Sequence, residues 1–321
     1  MKKMSSMSMV AVLAIVMLGF YQCTNDDPLF SGFPTELDYL NLQEVHDELS
    51  VSDTVQLTIA DPTIENTING PKGTKFIFPE NSLTTQGGGA AAAPVKVELI
   101  EIYKRGEMIQ RRIQTFATQN PLVSGGMFWI RATDANGDEL VFDGVNAILP
   151  YKTDATGFET DIQHYLGSNQ TAPSGNILSW TAGTLVVTFD GGAGANGEFT
   201  VENVKPDWNH IAASYTIPAG EETQFAVSVP NSLDFAFTEV FFALDIFTVV
   251  GALTSVEGET LTTFTGSVPT NATGKIVAIA LVEGKLNFAT QDVIITGDDL
   301  FVVNVSEGTT VELAAILNAM N

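Results

Sequence analysis

From residue 51 to residue 305 the chain is cut into short apolar runs by Gly, Pro and Asn, and this rhythm leaves little room for anything but antiparallel β-structure. Val55-Gln56-Leu57-Thr58-Ile59 alternates with period two and stops at Asp61-Pro62. Further runs follow at 74–78, 95–103, 127–133, 139–142 and 147–150, rich in Val, Ile and aromatics. Pro79 ends the run 74–78, because proline cannot donate to a ladder. Asn136-Gly137 between two runs predicts a two-residue hairpin turn. Residues 87–94 (GGGAAAAP) carry no core-forming side chain and read as a loop.

After Pro150 the rhythm loosens. Residues 154–175 read as irregular, with a helical turn around 161–166. Strands are expected again at 185–189 and 198–204, joined by a glycine-rich loop over 191–197, and Pro206-Asp207-Trp208 reads as a break. A second series runs over 223–229, 239–247, 261–266, 275–282, 286–295 and 300–305, with turn signals at the spacing of a β-sandwich. The apolar run 235–250 contains Glu239 and Asp245 and reads as one or two buried strands, not as a membrane span. Two helices are expected. One lies within 36–49, with Leu37, Leu40, Val45 and Leu49 at helical spacing; the other is terminal, with Thr309 as N-cap and Glu312 three residues on.

The predicted fold is therefore all-β, with tandem antiparallel β-sandwich domains and short N- and C-terminal helices. The expected division is a signal peptide over 1–22, a tether with a short helix over 23–52 and a first β-sandwich over 53–150. A connecting β-rich region over 151–215 and an immunoglobulin-like β-sandwich with a terminal helix over 216–321 complete it.

The N-terminus predicts an address. Lys2 and Lys3 precede the apolar run 9–20, which is too short at ~1.5 Å per residue to span the ~30 Å hydrocarbon core. The run ends at Phe20-Tyr21-Gln22-Cys23, which resembles the lipobox of bacterial lipoproteins, with Gln22 where Gly or Ala is usual. On that resemblance Cys23 is the lipidated N-terminus of the mature chain, and its being the only cysteine agrees with the reading. Asp26-Asp27 resembles the acidic signal that sends Bacteroidetes lipoproteins to the outer surface. The implied location is the outer membrane, lipid-anchored and facing outward, with the lipid as the contact to the membrane.

The formal charge is −24, and residues 1–22 hold two lysines and no acids, so the remainder carries −26. Such a charge argues against nucleic acid as a partner.

Pro71-Lys72-Gly73-Thr74 leads into strand 74–78, and Ile100-Glu101-Ile102-Tyr103 and Ser124-Gly125-Gly126-Met127-Phe128-Trp129-Ile130 follow. This pattern resembles the β-sandwich domain of zonula occludens proteins, netrin receptors and ankyrins, and more closely a group of Bacteroidetes surface lipoproteins. The resemblance implies export and a protein-interaction module, with no catalytic activity. Self-cleavage, known in some eukaryotic members at His-Phe-Ser, is not expected, because His46, His164 and His210 are followed by Asp, Tyr and Ile.

No catalytic residue, metal site or cofactor is expected. The histidines lie in no triad or metal spacing, and HExxH and GxSxG are absent. Asp134 to Glu139 resembles half of a calcium loop but lacks the downstream Glu, and the hairpin turn accounts for it. Trp129 lies among alternating strand residues and is expected in the core. Trp180 and Trp208 lie beside loops and are the candidate ligand contacts, as platforms for a sugar ring. The expected function is a non-catalytic protein-interaction or envelope accessory module, with surface carbohydrate binding as the alternative.

Overall fold

A computed structural model describes residues 38–50, 54–152, 161–191, 197–230, 232, 234–245 and 247–320. The expected signal segment, Cys23, Asp26, Asp27 and residues 23–37 and 51–52 of the expected tether lie outside the described residues, as do 192–196 of the glycine-rich loop. Tyr39 to Asn321 forms one compact unit. It is all-β, with two sandwiches and three helices among the described residues. None of these helices is long and apolar enough to cross a membrane.

The larger sheet of the first sandwich has seven strands. In spatial order they are β1 (Val55–Ile59), β5 (Val95–Ile102), β7 (Asn120–Thr133), β14 (Asp207–Ser214), β10 (Ile162–Ala172), β11 (Gly175–Ala182) and β6 (Ile113–Ala117). β6 also pairs with β7, which closes β7, β14, β10, β11 and β6 into a ring. The facing sheet runs β12 (Val187–Gly191), β13 (Gly197–Val201), β9 (Asn146–Pro150), β3 (Lys75–Phe78) and β2 (Asn66–Asn69). Phe76, Phe128, Phe199 and Ile211 pack between the two sheets. β4 (Leu83–Thr85) and β8 (Leu140–Phe142) form a separate pair.

Four expectations are corrected here. Residues 162–166 open strand β10 in place of the expected helical turn, and Asp207-Trp208 begins strand β14 in place of the expected break. The stretch 151–215 is no connector, because its strands belong to both sheets of the first sandwich. Asn136-Gly137 does turn, with Gly137 at φ 86°, but β7 and β8 share only the Thr133–Glu139 bridge, since β8 pairs with β4. The Asp134 carboxylate accepts from the amides of Ala92, Asn136 and Asp138, so the loop is an Asx-type turn.

Two stretches of the family-like pattern meet in space. The buried Glu101 carboxylate accepts from the Lys72 and Thr74 amides at 2.8 Å each, and the Tyr103 hydroxyl bonds to Thr74 Oγ1 at 2.7 Å. The Pro71-to-Thr74 turn is thus shaped by side chains some thirty residues downstream.

In the second sandwich one sheet runs β19 (Ser255–Glu257), β20 (Thr260–Thr262), β16 (Phe225–Ser228) and β24 (Asp299–Val302). The other runs β18 (Val250–Ala252), β17 (Thr238–Leu244), β22 (Ala272–Val282), β23 (Lys285–Ile295) and β25 (Ser306–Glu307). β15 (Glu222–Thr223) and β21 (Val268–Pro269) pair beside them. Val240, Phe242, Ile276 and Ala278 face the inside of this sandwich, while Phe241, Ala243, Val277 and Ile279 face outward and are equally buried. Burial on both faces explains why 240–244 and 276–281 are continuous apolar runs without alternation.

The outward faces meet in a layer of helices between the sandwiches. α1 (Leu42–Ser50) buries Leu42, Val45 and Leu49; α2 (Arg105–Gln110) buries Met108 and Ile109; α3 (Thr310–Asn318) buries Leu313 and Leu317. α3 has the expected capping box, with Thr309 and Glu312 satisfying each other's end of the first turn. α2 was not expected; the Glu107 carboxylate starts it by accepting from the Tyr103 and Lys104 amides. Gly106 lets α2 touch α3, since a β-carbon there would lie 1.8 Å from the Leu317 carbonyl oxygen.

One buried ionic cluster ties this layer to both sandwiches. Glu239 on β17 receives His46 Nε2 of α1 at 2.8 Å, the Arg112 guanidinium that follows α2, and the Ser174 hydroxyl of the β10–β11 turn at 2.9 Å. His46 Nδ1 faces the Gln110 carbonyl oxygen at 3.0 Å, so both ring nitrogens face oxygen atoms. Burial by itself raises the Glu239 carboxyl, but the charges of His46 and Arg112 and the hydrogen bonds from His46 and Ser174 outweigh it and hold the group below its ordinary range. Its contribution to stability is therefore present above the unfolded value of ~4.3 and is lost as pH falls through the lower folded value. Glu239→Gln should cost about 3–5 kcal/mol in urea unfolding at neutral pH, because it leaves the buried Arg112 guanidinium without a carboxylate. The exposed Glu257→Gln should cost less than about 0.5 kcal/mol. Equal stabilities of the two variants would show that the cluster holds nothing together.

Candidate functional site

The two candidate tryptophans fall in different environments. Trp180 on β11 is 1% exposed, its Nε1 donates to the Gln114 carbonyl at 2.6 Å, and its ring lies 4.5 Å from the His210 ring. It is a core residue with no face for a ligand, which corrects the expectation drawn from its position beside a turn. Trp208 is half-buried and lines a cavity of about 420 Å³. Trp129, expected in the core, is also half-buried; it is the cross-strand neighbour of Trp208 and lies under the Arg131 guanidinium.

The cavity is built where the large sheet ends against α1. β10 brings Ser168 and Asn169, β11 brings Asn176, and β14 brings Asp207 with Trp208; Gln43 comes from α1 and Arg111 from the turn after α2. Gly167 is required by close approach, because a β-carbon there would stand 2.7 Å from the Trp208 β-carbon. Asp207 has φ 122°, a left-handed conformation that favours glycine, and its carboxylate accepts from the Trp208 amide at 2.7 Å. The buried Asn209 carboxamide donates to the Asp207 and Lys205 carbonyls at 2.8 and 3.2 Å, and its oxygen meets His164 Nε2 at 3.0 Å. The strained residue beside Trp208 is thus held from behind by a buried polar chain.

Chemically, the cavity offers an aromatic side chain among carboxamide, hydroxyl, carboxylate and guanidinium groups. That combination suits a ligand with an apolar ring face and a rim of hydroxyls. Asn169 and Asn176 were not singled out as ligand contacts from the sequence, since nothing local distinguishes them from turn residues. The strain at Asp207 has no sequence signal at all.

A second cluster has the outline of a nucleophile and base but not the means. Ser124 Oγ lies 2.9 Å from His210 Nε2. Ser124 is 2% exposed and His210 0%, and burial, with the His164 charge adding to it, lowers His210 to about 3. A base of that strength takes no proton from serine near neutrality. His164 is likewise lowered by burial, against the opposing pull of Asn209. Among the described residues no group of three His, Cys, Asp or Glu could hold a metal ion.

These histidines take up protons on unfolding, so stability is full above the unfolded value of ~6.5 and falls as pH drops from there towards the folded values. Between pH 7.5 and 5 the urea unfolding free energy should fall by on the order of 2 kcal/mol from His210 alone. His210→Gln should flatten this slope; an unchanged slope would place its origin elsewhere.

Set against known proteins, the chain matches no family model and no curated protein sequence.

Proposed function

We propose that the protein is an envelope lipoprotein, lipidated on Cys23 and exported by a signal that includes Asp26 and Asp27, whose folded part is a non-catalytic binding module for carbohydrate. One observation carries the ligand class: Trp208 lines a concave site together with Ser168, Asn169, Asn176 and Asp207, on a rigid sheet and beside strained backbone. This favours the carbohydrate alternative over a protein-interaction module, for which the likeness of residues 70–150 to interaction domains is the support.

The ligand reading is tested by affinity electrophoresis of the full chain through a panel of polysaccharides. At least one polysaccharide should retard it, and Trp208→Ala should abolish the retardation. Asp207→Gly, which relieves the backbone and removes the carboxylate, should keep the fold and weaken binding by about tenfold, the equivalent of ~1.4 kcal/mol. No retardation by any polysaccharide, together with recovery of a protein partner, would return the assignment to an interaction module. The anchor is tested separately. Cys23→Ala should move the protein from the membrane fraction to the soluble fraction, and replacing Asp26 and Asp27 should make it inaccessible to external protease. A Cys23→Ala protein that stays membrane-bound defeats the lipid assignment.

A further inference from the structure

A second cavity, of about 560 Å³, opens where the first sandwich meets the β17–β18 loop of the second. Its walls carry Lys72, Lys104, Arg105 and Lys152. The whole chain has only 14 Lys and Arg against 38 Asp and Glu, so four of its fourteen cations face a single cavity. In a chain this acidic, scattered cations would each lie among carboxylates; among the described residues only Glu107 and Asp245 share the wall. The Glu101 carboxylate is nearby but is spent on the Lys72 and Thr74 amides.

The cations are held in place largely by groups that leave their charge in being. Lys152 Nζ donates to the Lys72 carbonyl and sits 4.4 Å from the centre of the Tyr103 ring. Arg105 donates to the Leu244 carbonyl, with Asp245 3.8 Å away. Lys72 Nζ donates to the Glu101 carbonyl at 2.8 Å and pairs with Glu107 at 3.0 Å. Lys104 is exposed, and among the described residues its ammonium has no hydrogen bond or ion pair. A carbonyl positions an ammonium while leaving it two further donors and a full charge. Tyr103, Phe247 and Pro71 supply the apolar part of the wall. The volume lies within the usual range for organic ligands and far exceeds the needs of an inorganic ion.

We propose that this cavity binds a small organic anion, an oxyanion carried on a ring of about sugar size, with Lys104 and Lys152 as its principal charge contacts. The carboxylate of a sugar acid and the phosphoryl group of a sugar phosphate share this chemistry. The site is independent of the Trp208 cavity, so either assignment can fail alone.

The test is isothermal titration calorimetry on the full chain with glucuronate, glucose 6-phosphate, glucose and inorganic phosphate. Glucuronate or glucose 6-phosphate should bind, and which of them does identifies the oxyanion, while glucose should give no heat at the same concentration. Lys104→Ala and Lys152→Ala should each weaken binding by roughly tenfold, and raising salt should weaken it further. Among the described residues Lys104 makes no side-chain hydrogen bond or ion pair, so its variant remains informative if Lys152→Ala unfolds. Trp208→Ala should leave the titration unchanged. The proposal is overturned if neither anion binds, if glucose binds as well as they do, or if inorganic phosphate binds as tightly as glucose 6-phosphate, which would mark an adventitious ion only.

Discussion

The buried Glu239 carboxylate is the interaction on which the arrangement of layers depends. It lies on a strand of the second sandwich, and its partners come from residues 46, 112 and 174, which belong to α1, to the turn after α2 and to the β10–β11 turn of the first sandwich. A carboxylate without partners at that depth would cost several kcal/mol in desolvation, and so would the Arg112 guanidinium. The cluster is satisfied only when both sandwiches and the first helix are all in place. Register between the layers is therefore set in part by charge, on a contact surface whose remaining members are largely apolar, aliphatic with a few aromatics.

Around that point the structure is a stack of sheet, sheet, helices, sheet and sheet. Strands β17 and β22 are buried on both faces, one towards the core of their own sandwich and one towards the helices. α1 and α3 come from opposite ends of the folded chain and are joined through Glu48, which receives the hydroxyls of Tyr39 and Thr310. Both cavities open at the borders of this helical layer. There strands and helices end, and polar side chains that cannot enter an apolar layer are turned towards solvent. The polar cavity at Trp208 and the cationic cavity at Lys104 and Lys152 are thus consequences of the same packing.

Much of the fold was legible in order along the chain. Alternation marked β1, the both-faced runs marked β17 and β22, Pro79 marked the end of β3, and Thr309 with Glu312 marked the terminal helix. Strands β10, β11 and β14 were not legible. They carry His164, Asn169, Asn176, Asn209 and His210, polar residues of low strand propensity, and are held in the sheet by neighbours on both sides. Part of that polarity is structural: the Asn209 carboxamide binds two backbone carbonyls within four residues and a histidine of β10, the last a contact that exists only once β10 and β14 pair.

The sequence by itself determined the β-class, most strand positions of both sandwiches and the capped terminal helix, because alternation, proline stops and capping pairs act over a few neighbouring residues. The tertiary structure alone decided which tryptophan could meet a ligand. Trp180 and Trp208 both stand beside turns, yet one ring is packed on His210 inside the closed ring of strands and the other lines the cavity at its border. It likewise decided that Lys72, Lys104, Arg105 and Lys152 face one space. Period and propensity are local quantities, whereas the side of a layer that meets solvent is settled by what packs against the other side.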